Sequence, residues 1–198
     1  VVVAAGAWSN QLFDPLGVDL GLQPIPARVA VFRWAYDRAP SHMTYIDHIN
    51  GTWARPTDGN STLGGAEVAQ TGKIDLDAIS ESLSQAQIEA TRGQLVRRFP
   101  IMRHSTMRGN WAGVLSMSPD GRPLIGKIEQ YDGLYTMTGD SGTCFKTAPA
   151  IGRCLSELIT EGRASTVDLT PFRPSRVAEG KLWRDEHDYD LTQQTISR

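Results

Sequence analysis

The stretch GDSGTCFKTAPAIGRCLSELITEG, residues 139–162, sets small residues and one lysine directly ahead of an apolar stripe. Ala148, Ile151, Leu155, Leu158 and Ile159 recur at three-to-four spacing, which predicts a helix with one face buried. Gly162 ends it in the C′ manner. Thr147 is the expected N-cap, and Pro149 falls in the first turn, where its missing N–H costs nothing. A helix start carries free N–H groups and the positive end of the dipole. Gly139 and Gly142 allow close approach of the backbone to a ligand, and Lys146 adds a full charge. Together these would stabilise negative charge on a flat ring or a carboxylate. Taken alone, the stretch fits a plain strand–turn–helix joint with a surface lysine better.

Working outward, GLYTMTG (133–139) and PLIGKIEQ (123–130) read as strands leading into that joint. VVVAAGAWS (1–9) reads as a buried parallel-type strand broken at Gly6, and Trp8, Leu12, Phe13 and Leu16 then form a short helical stripe. Strand–glycine–helix is the local grammar of α/β sheets. A strand buried on both faces needs neighbours, so a beginning inside one suggests a chain whose first half lies elsewhere. Between these ends the character changes. ARVAVFRWAY, MTYIDHI, GTWARPT and NSTLGGAEV are short, β-rich and punctuated by glycine pairs, which predicts an antiparallel sheet with hairpins. Residues 84–99 form a helix with Ile88, Leu95 and Phe99 inward, and 106–117 a further strand. After Phe172 the chain turns polar and charged, and irregular structure is expected there.

Composition excludes several classes. The net charge is -2, from 20 basic and 22 acidic residues, so there is no basic stripe for a nucleic acid. No apolar run approaches the roughly 20 residues of a membrane span. Cys144 and Cys154 make no disulfide framework, which points to a reducing, cytoplasmic setting. Cys154 is a buried filler of the helix face. Cys144, just before the helix, is either another small filler or a thiol of lowered pKa. His42, His48, His104 and His187 lack ligand spacing, so no metal is expected. There is neither a nucleophile elbow nor a GxGxxG. The Pro119-Asp120-Gly121 turn alone is a hairpin tip.

The order of the pieces carries more than each piece. VVVAAGAWS, then WAGVLSMSPDGRPLIG (111–126), then GLYTMTGDSGTCFKTAPAIGRCLSELI (133–159) resembles the C-terminal half of the D-amino-acid-oxidase superfamily of FAD flavoproteins. Sarcosine oxidase, its β-subunit relatives and glycine oxidase belong to that superfamily. The second stretch is similar to the family's W-x-G…T-P-D-x-x-P-x-I-G hairpin, the third to its G-H-G-F-K flavin loop and helix. The resemblance reaches to about Phe172.

It implies a mixed α+β and α/β fold. Residues 1–26 would be a late part of a Rossmann-like FAD domain, 27–117 an antiparallel substrate domain, 118–172 the return to the FAD domain, and 173–198 a polar tail. The fold would be incomplete without an N-terminal half, in the same polypeptide or a partner, that brings the glycine-rich loop. Residues 1–198 alone would hold FAD poorly. Cofactor contacts would come from Ala5, Gly6, Trp8, Pro119, Asp120 and the run Gly139, Asp140, Ser141, Gly142, Thr143, Cys144, Phe145 and Lys146. Lys146 and Thr143 would be catalytic, the latter where the family has histidine. Trp111, Leu115 and Lys146 would touch substrate, with Val114 adding apolar surface for an N-alkyl group. Gly113 stands where covalent-flavin members have cysteine, so FAD would be non-covalent. Leu115 replaces a carboxylate-binding arginine, and Thr62 lies near the place of an oxygen-activating lysine. The implied function is oxidation of the C–N bond of a small amine or amino acid, N-methylglycine-like, by hydride transfer to flavin. The alternative is a non-catalytic module or subunit whose partner supplies the FAD half.

Overall fold

Alternating apolar residues make strands, and in this chain they make two sheets. The computed structural model describes residues 1–35, 42–47, 49–58, 60–66 and 74–184. In chain order the strands and helices are β1 (Val2–Val3), α1 (Ser9–Phe13), β2 (Gln23–Arg33), β3 (Tyr45–Asp47), β4 (Thr52–Thr57), β5 (Ser61–Ala66), α2 (Gln85–Arg98), β6 (Thr106–Met117), β7 (Leu124–Lys127), β8 (Tyr135–Thr138) and α3 (Ala148–Glu161). They divide into two compact units, Val1–Ile25 with Leu115–Arg198, and Pro26–Val114.

The first unit is built on a three-stranded sheet of order β1-β8-β7. β1 runs parallel to β8, with Val2 opposite Tyr135 and Val3 opposite Thr136, and β7 runs antiparallel to β8. Period-two alternation sends the two faces of β7 into different cores. Leu124 joins Val3, Phe13, Val18, Leu20, Leu22, Ile128 and Leu134 on one side. Ile125 joins Cys154, Leu155 and Leu169 on the other, under α3. Among the described residues β1 lies at the edge of this sheet, and Val1 and Val2 are exposed. The stripe on α3 is also narrower than the spacing suggests. Cys154 and Leu155 are buried and Ile151 and Leu158 half-buried, whereas Ala148 and Ile159 face solvent. Gly162 ends the helix at φ 76°, as its position predicts.

The second unit carries the larger sheet, of order β3-β4-β5-β2-β6. β2, β3, β4 and β5 pair antiparallel, with Val31 opposite Leu63 and Ala54 opposite Gly64. One face is covered by α2: Ala30, Phe32, Trp34 and Ala54 pack with Ile88, Leu95 and Met102. Gly64 is needed there, because a Cβ would sit 2.9 Å from a Leu95 methyl. Ser84 starts α2 with a capping box, its Oγ accepting from Gln87 N (3.3 Å) and its N–H donating to Gln87 Oε1 (2.9 Å). Asp47, at the end of β3, ties that strand to the far end of α2. Its Oδ2 accepts from Arg98 Nε (2.9 Å), Arg98 Nη2 (2.7 Å) and Asn50 Nδ2 (2.8 Å).

Those hydrogen bonds, the Asn50 amide first and the Arg98 guanidinium next, lower the Asp47 pKa from 3.8 to about 2. A depressed carboxyl pKa contributes stability that is complete above its unfolded value and lost as pH falls through the folded one. The destabilisation caused by Asp47→Asn should therefore be full at pH 6 and shrink steadily from pH 3.8 towards about 2. Urea unfolding of both proteins, followed by tryptophan fluorescence across that range, measures it. A pH-independent difference would show that Asp47 acts through shape alone.

Candidate active site

Parallel strands present ligands with the turns beyond their carboxyl ends. β1 and β8 end side by side, and each opens into a turn that needs the left-handed region. Gly6 follows β1 at φ 53°; Gly139, Ser141 and Gly142 follow β8 at φ 63°, 51° and 75°. Thr138, the last residue of β8, joins the two. Its hydroxyl reaches the Gly6 carbonyl (3.4 Å) and the buried Ser9 hydroxyl (3.0 Å). Beyond the second turn a 3-10 turn at Phe145–Thr147 leads into α3.

The second turn is fixed from behind. A Cβ on Gly139 would lie 2.9 Å from Ser118 Cβ and 3.1 Å from a Leu22 methyl, so the glycine is required by packing as well as by φ. Ser141 is a non-glycine residue in the left-handed region, which costs of order 1–3 kcal/mol unless the surroundings hold it. They do: Ser141 N donates to Ser116 O (2.9 Å), and Ser141 Oγ accepts from Ser118 N (3.1 Å) and donates to Gly139 O (3.1 Å). Gly142 N donates to Asp140 Oδ2 (3.2 Å) and Thr143 N to Asp140 O (3.0 Å).

Residues 1–158 match the family model of the FAD dependent oxidoreductases called DAO. The chain belongs to this family. It is 30% identical over 177 residues to glycine oxidase of Pseudomonas aeruginosa, covering 88% of this chain and 45% of that protein. It is 25% identical to D-amino acid dehydrogenase of Bradyrhizobium diazoefficiens, over 89% of this chain and 40% of that one. Its fold is shared with glycine oxidase from Geobacillus kaustophilus, at TM-score 0.75 and 23% identity over 89% of this chain and 45% of that chain. It is shared too with L-proline dehydrogenase from P. horikoshii, at TM-score 0.78 and 24% identity over 92% of this chain and 48% of that chain. The chain thus spans less than half the length of these relatives.

Of the residues singled out in the sequence of this DAO-family chain, one group comes together at the paired turns. Ala5, Gly6 and Trp8 lie on the first turn, Gly139 to Lys146 on the second. Phe145 is 97% exposed, Lys146 is exposed and Trp8 is partly so. Thr143 turns its hydroxyl back onto Asp140 O (3.0 Å). Cys144 is buried, and burial first, then the Asp140 carboxylate, push its thiol pKa up. That overturns the reading of a thiol activated by the helix start. Thr147 occupies the N-cap position, but its hydroxyl donates to Cys144 O (3.1 Å) instead of accepting from the helix. The first turn of α3 is therefore left without a side-chain cap.

Others have their side chains engaged in the scaffold. The Pro119 ring packs so closely on Gly21 that a Cβ there would lie 2.7 Å from it. Asp120 is held by Arg176, with Nε on Oδ2 and Nη2 on Oδ1, both at 2.9 Å. Burial pushes the Asp120 carboxyl up, but these bonds outweigh it and hold it below its ordinary value. The side chains of Asp120 and Ser141, both expected to contact cofactor, are thus bonded internally. On β6, Trp111, Gly113 and Leu115 share one face by alternation. Ala112 packs towards α2, and Val114 has its parity, so Val114 does not join Trp111 and Leu115. Thr62 likewise faces α2. It is fully buried, accepting from Trp34 Nε1 (3.0 Å) and bonding His42 Nε2 (2.8 Å).

The residue that sequence reasoning missed is Arg176. The segment expected to be polar and irregular contains the largest fully buried side chain of the described residues. Nothing in its own neighbourhood marks it; the only signal is a partner, Asp120, in a turn 56 residues away. His48, His187 and residues 185–198 lie outside the described residues. Among the described residues no helix is long and apolar enough to cross a membrane, and no three potential ligands gather for a metal.

Gly139→Ala should cost about 1–2 kcal/mol for the left-handed backbone alone, and more for the contact with Ser118. Chemical denaturation of the variant against wild type measures this, with Gly152→Ala, a site with open space, as the control. Equal stability of both variants would remove the turn geometry described above.

Proposed function

We propose that this chain is the cofactor-facing and substrate-facing portion of an FAD-dependent oxidase or dehydrogenase acting on the C–N bond of a small amine or amino acid. The observation that carries the proposal is the pair of left-handed turns at the ends of β1 and β8, followed by an exposed Phe145-Lys146 and an uncapped helix start. This arrangement fits a flat, partly anionic ring. Open backbone at Gly6 and Gly142 allows close approach, and the start of α3 favours negative charge. Ala5, Gly6, Trp8 and Gly139 to Lys146 would hold the cofactor. When bound, FAD supplies the acceptor for a hydride leaving the carbon next to nitrogen; the N–H proton departs and the resulting imine is hydrolysed by water. The phosphate-binding glycine loop would come from a segment outside residues 1–198. Gly113 offers no thiol, which suits non-covalent FAD.

The chain's own residues orient and bind. Lys146, exposed on the turn before α3, would take the substrate carboxylate as a single point charge. Trp111 and Leu115, on one face of β6, would give apolar surface. No strong base is assigned: positioning carries the chemistry. Two free cysteines suit a cytoplasmic setting.

In the full-length protein, Lys146→Met should raise the KM for the best substrate about tenfold or more, the loss of a charged hydrogen bond of about 1.5–3 kcal/mol. FAD affinity should fall by less than substrate affinity. Steady-state kinetics with a parallel FAD titration checks this, and unaltered kinetics would take Lys146 out of the site.

With Leu115 in place of a bidentate cation, strict D-amino-acid specificity is disfavoured. Anaerobic stopped-flow should show faster flavin reduction by an N-alkyl glycine than by D-alanine. The reverse order would mean that another cation grips the carboxylate. Absence of flavin from the full-length protein would end the functional proposal itself.

A further inference from the structure

We propose that Arg176 is a positioning residue for the Gly139–Gly142 turn and, resting on the function proposed above, for the cofactor held there. Its guanidinium is fully buried and uses its whole fork. Beside the two bonds to Asp120, Nη2 donates to Arg122 O (2.9 Å), and Nη1 reaches Phe172 O (2.9 Å), Pro123 O (3.2 Å) and Arg173 O (3.3 Å). The segment around it is clamped onto the sheet: a Cβ on Gly126 of β7 would lie 3.2 Å from the Pro174 ring.

The link runs on from Asp120. Its Oδ1 accepts from Arg122 N (3.1 Å) and its Oδ2 from Trp183 N (3.1 Å); the Ser118 hydroxyl, 3.2 Å from Asp120 Oδ1, donates to Arg122 O (2.7 Å), the same carbonyl that Arg176 Nη2 holds. Ser118 then meets Ser141 twice, its N–H donating to Ser141 Oγ (3.1 Å) and its own Oγ lying 3.3 Å from it. Ser141 Oγ closes on Gly139 O (3.1 Å). Asp120 and Ser118 thus connect a distant arginine to the one non-glycine residue of the turn that takes the left-handed backbone.

A buried ion pair is weak evidence for stability, since well-packed apolar residues serve a core as well. What a bidentate fork adds is direction. It fixes the Asp120 carboxylate together with the Arg122 carbonyl, through them the Ser118 hydroxyl, and so Ser118, whose N–H holds the left-handed Ser141. A lysine would keep the charge and lose the plane.

The test uses the full-length protein with Arg176→Lys, Ser118→Ala and the double variant. Amide hydrogen exchange is read at Ser141, Gly142 and Thr143, with α2 as internal control, and the Kd for FAD is measured by titration. The expected result is at least about tenfold faster exchange at the turn in each single variant, with α2 unchanged, and an FAD Kd raised about tenfold. The double variant should be no worse than Arg176→Lys alone, because residues acting through one link are not additive. Unchanged exchange at the turn, equal acceleration in α2, or additive effects would overturn the proposal. So would an unchanged Kd in a protein that binds flavin and shows the local acceleration. If Arg176→Lys does not fold, Asp120→Asn replaces it in the same cycle. If the wild-type protein binds no flavin, the function proposed above falls, while exchange at the turn still decides whether Arg176 positions it.

Discussion

Everything in the first unit depends on a pairing between two valines and a strand more than 130 residues later. Val2 and Val3 lie beside Tyr135 and Thr136, and the contact is reinforced at both ends. Val1 N donates to Gly133 O (2.7 Å), Tyr135 N to Val1 O (2.9 Å), and Thr136 Oγ1 to Val3 O (2.9 Å). Loop closure over such a distance costs entropy that grows slowly with length, so a short strand suffices if its side chains reach a core. Val3 does, packing with Phe13, Leu124 and Leu134. The consequence is geometric. Two parallel strands that end together place two turns together, and in the function proposed above those turns, rather than the strands, would meet the ligand.

The turns themselves are backbone structures, which explains why so many side chains near them point away. Ser118, Asp120 and Ser141 are buried or half-buried and bonded to one another, while the surface they support is made of glycines, Phe145 and Lys146. Backbone N–H groups and a helix start are fixed dipoles. They need no reorganisation when charge develops in front of them, which is the condition for electrostatic stabilisation to be large. A site made this way tolerates changes in the exposed residues more readily than in the buried ones behind them. Thr143, where relatives of the sarcosine-oxidase type are read to carry histidine, fits that logic: its hydroxyl is engaged with the Asp140 carbonyl and the turn closes without an imidazole.

Legibility in the sequence followed periodicity. The α3 stripe, the glycine that ends it, the antiparallel character of the middle and the Ser84 start of α2 all repeat with a helical or strand period, and each is present. What could not be read were features set by partners far away in sequence. Arg176 looks like one more charge in a polar segment until Asp120 and four carbonyls surround it. Ile159 belongs to an ideal stripe, yet the core under α3 ends at Leu155 and Leu158, so it stays exposed. Thr147 has the residue type of an N-cap, but the preceding 3-10 turn brings Cys144 O within reach of its hydroxyl first.

The same reasoning separates two kinds of charge in this chain. An exposed pair such as Lys127–Asp132 sits where solvent screens it, and its worth is small. Asp120–Arg176 has both side chains 1% exposed, so neither charge can be removed without stranding the other. A pair that costs as much to bury as it returns is retained only if its geometry matters. In the proposal above that geometry passes through Ser118 to a turn where Ser141, not a glycine, takes the left-handed backbone. On that proposal, rigidity at the turn is produced behind it, by a charge that never reaches the surface.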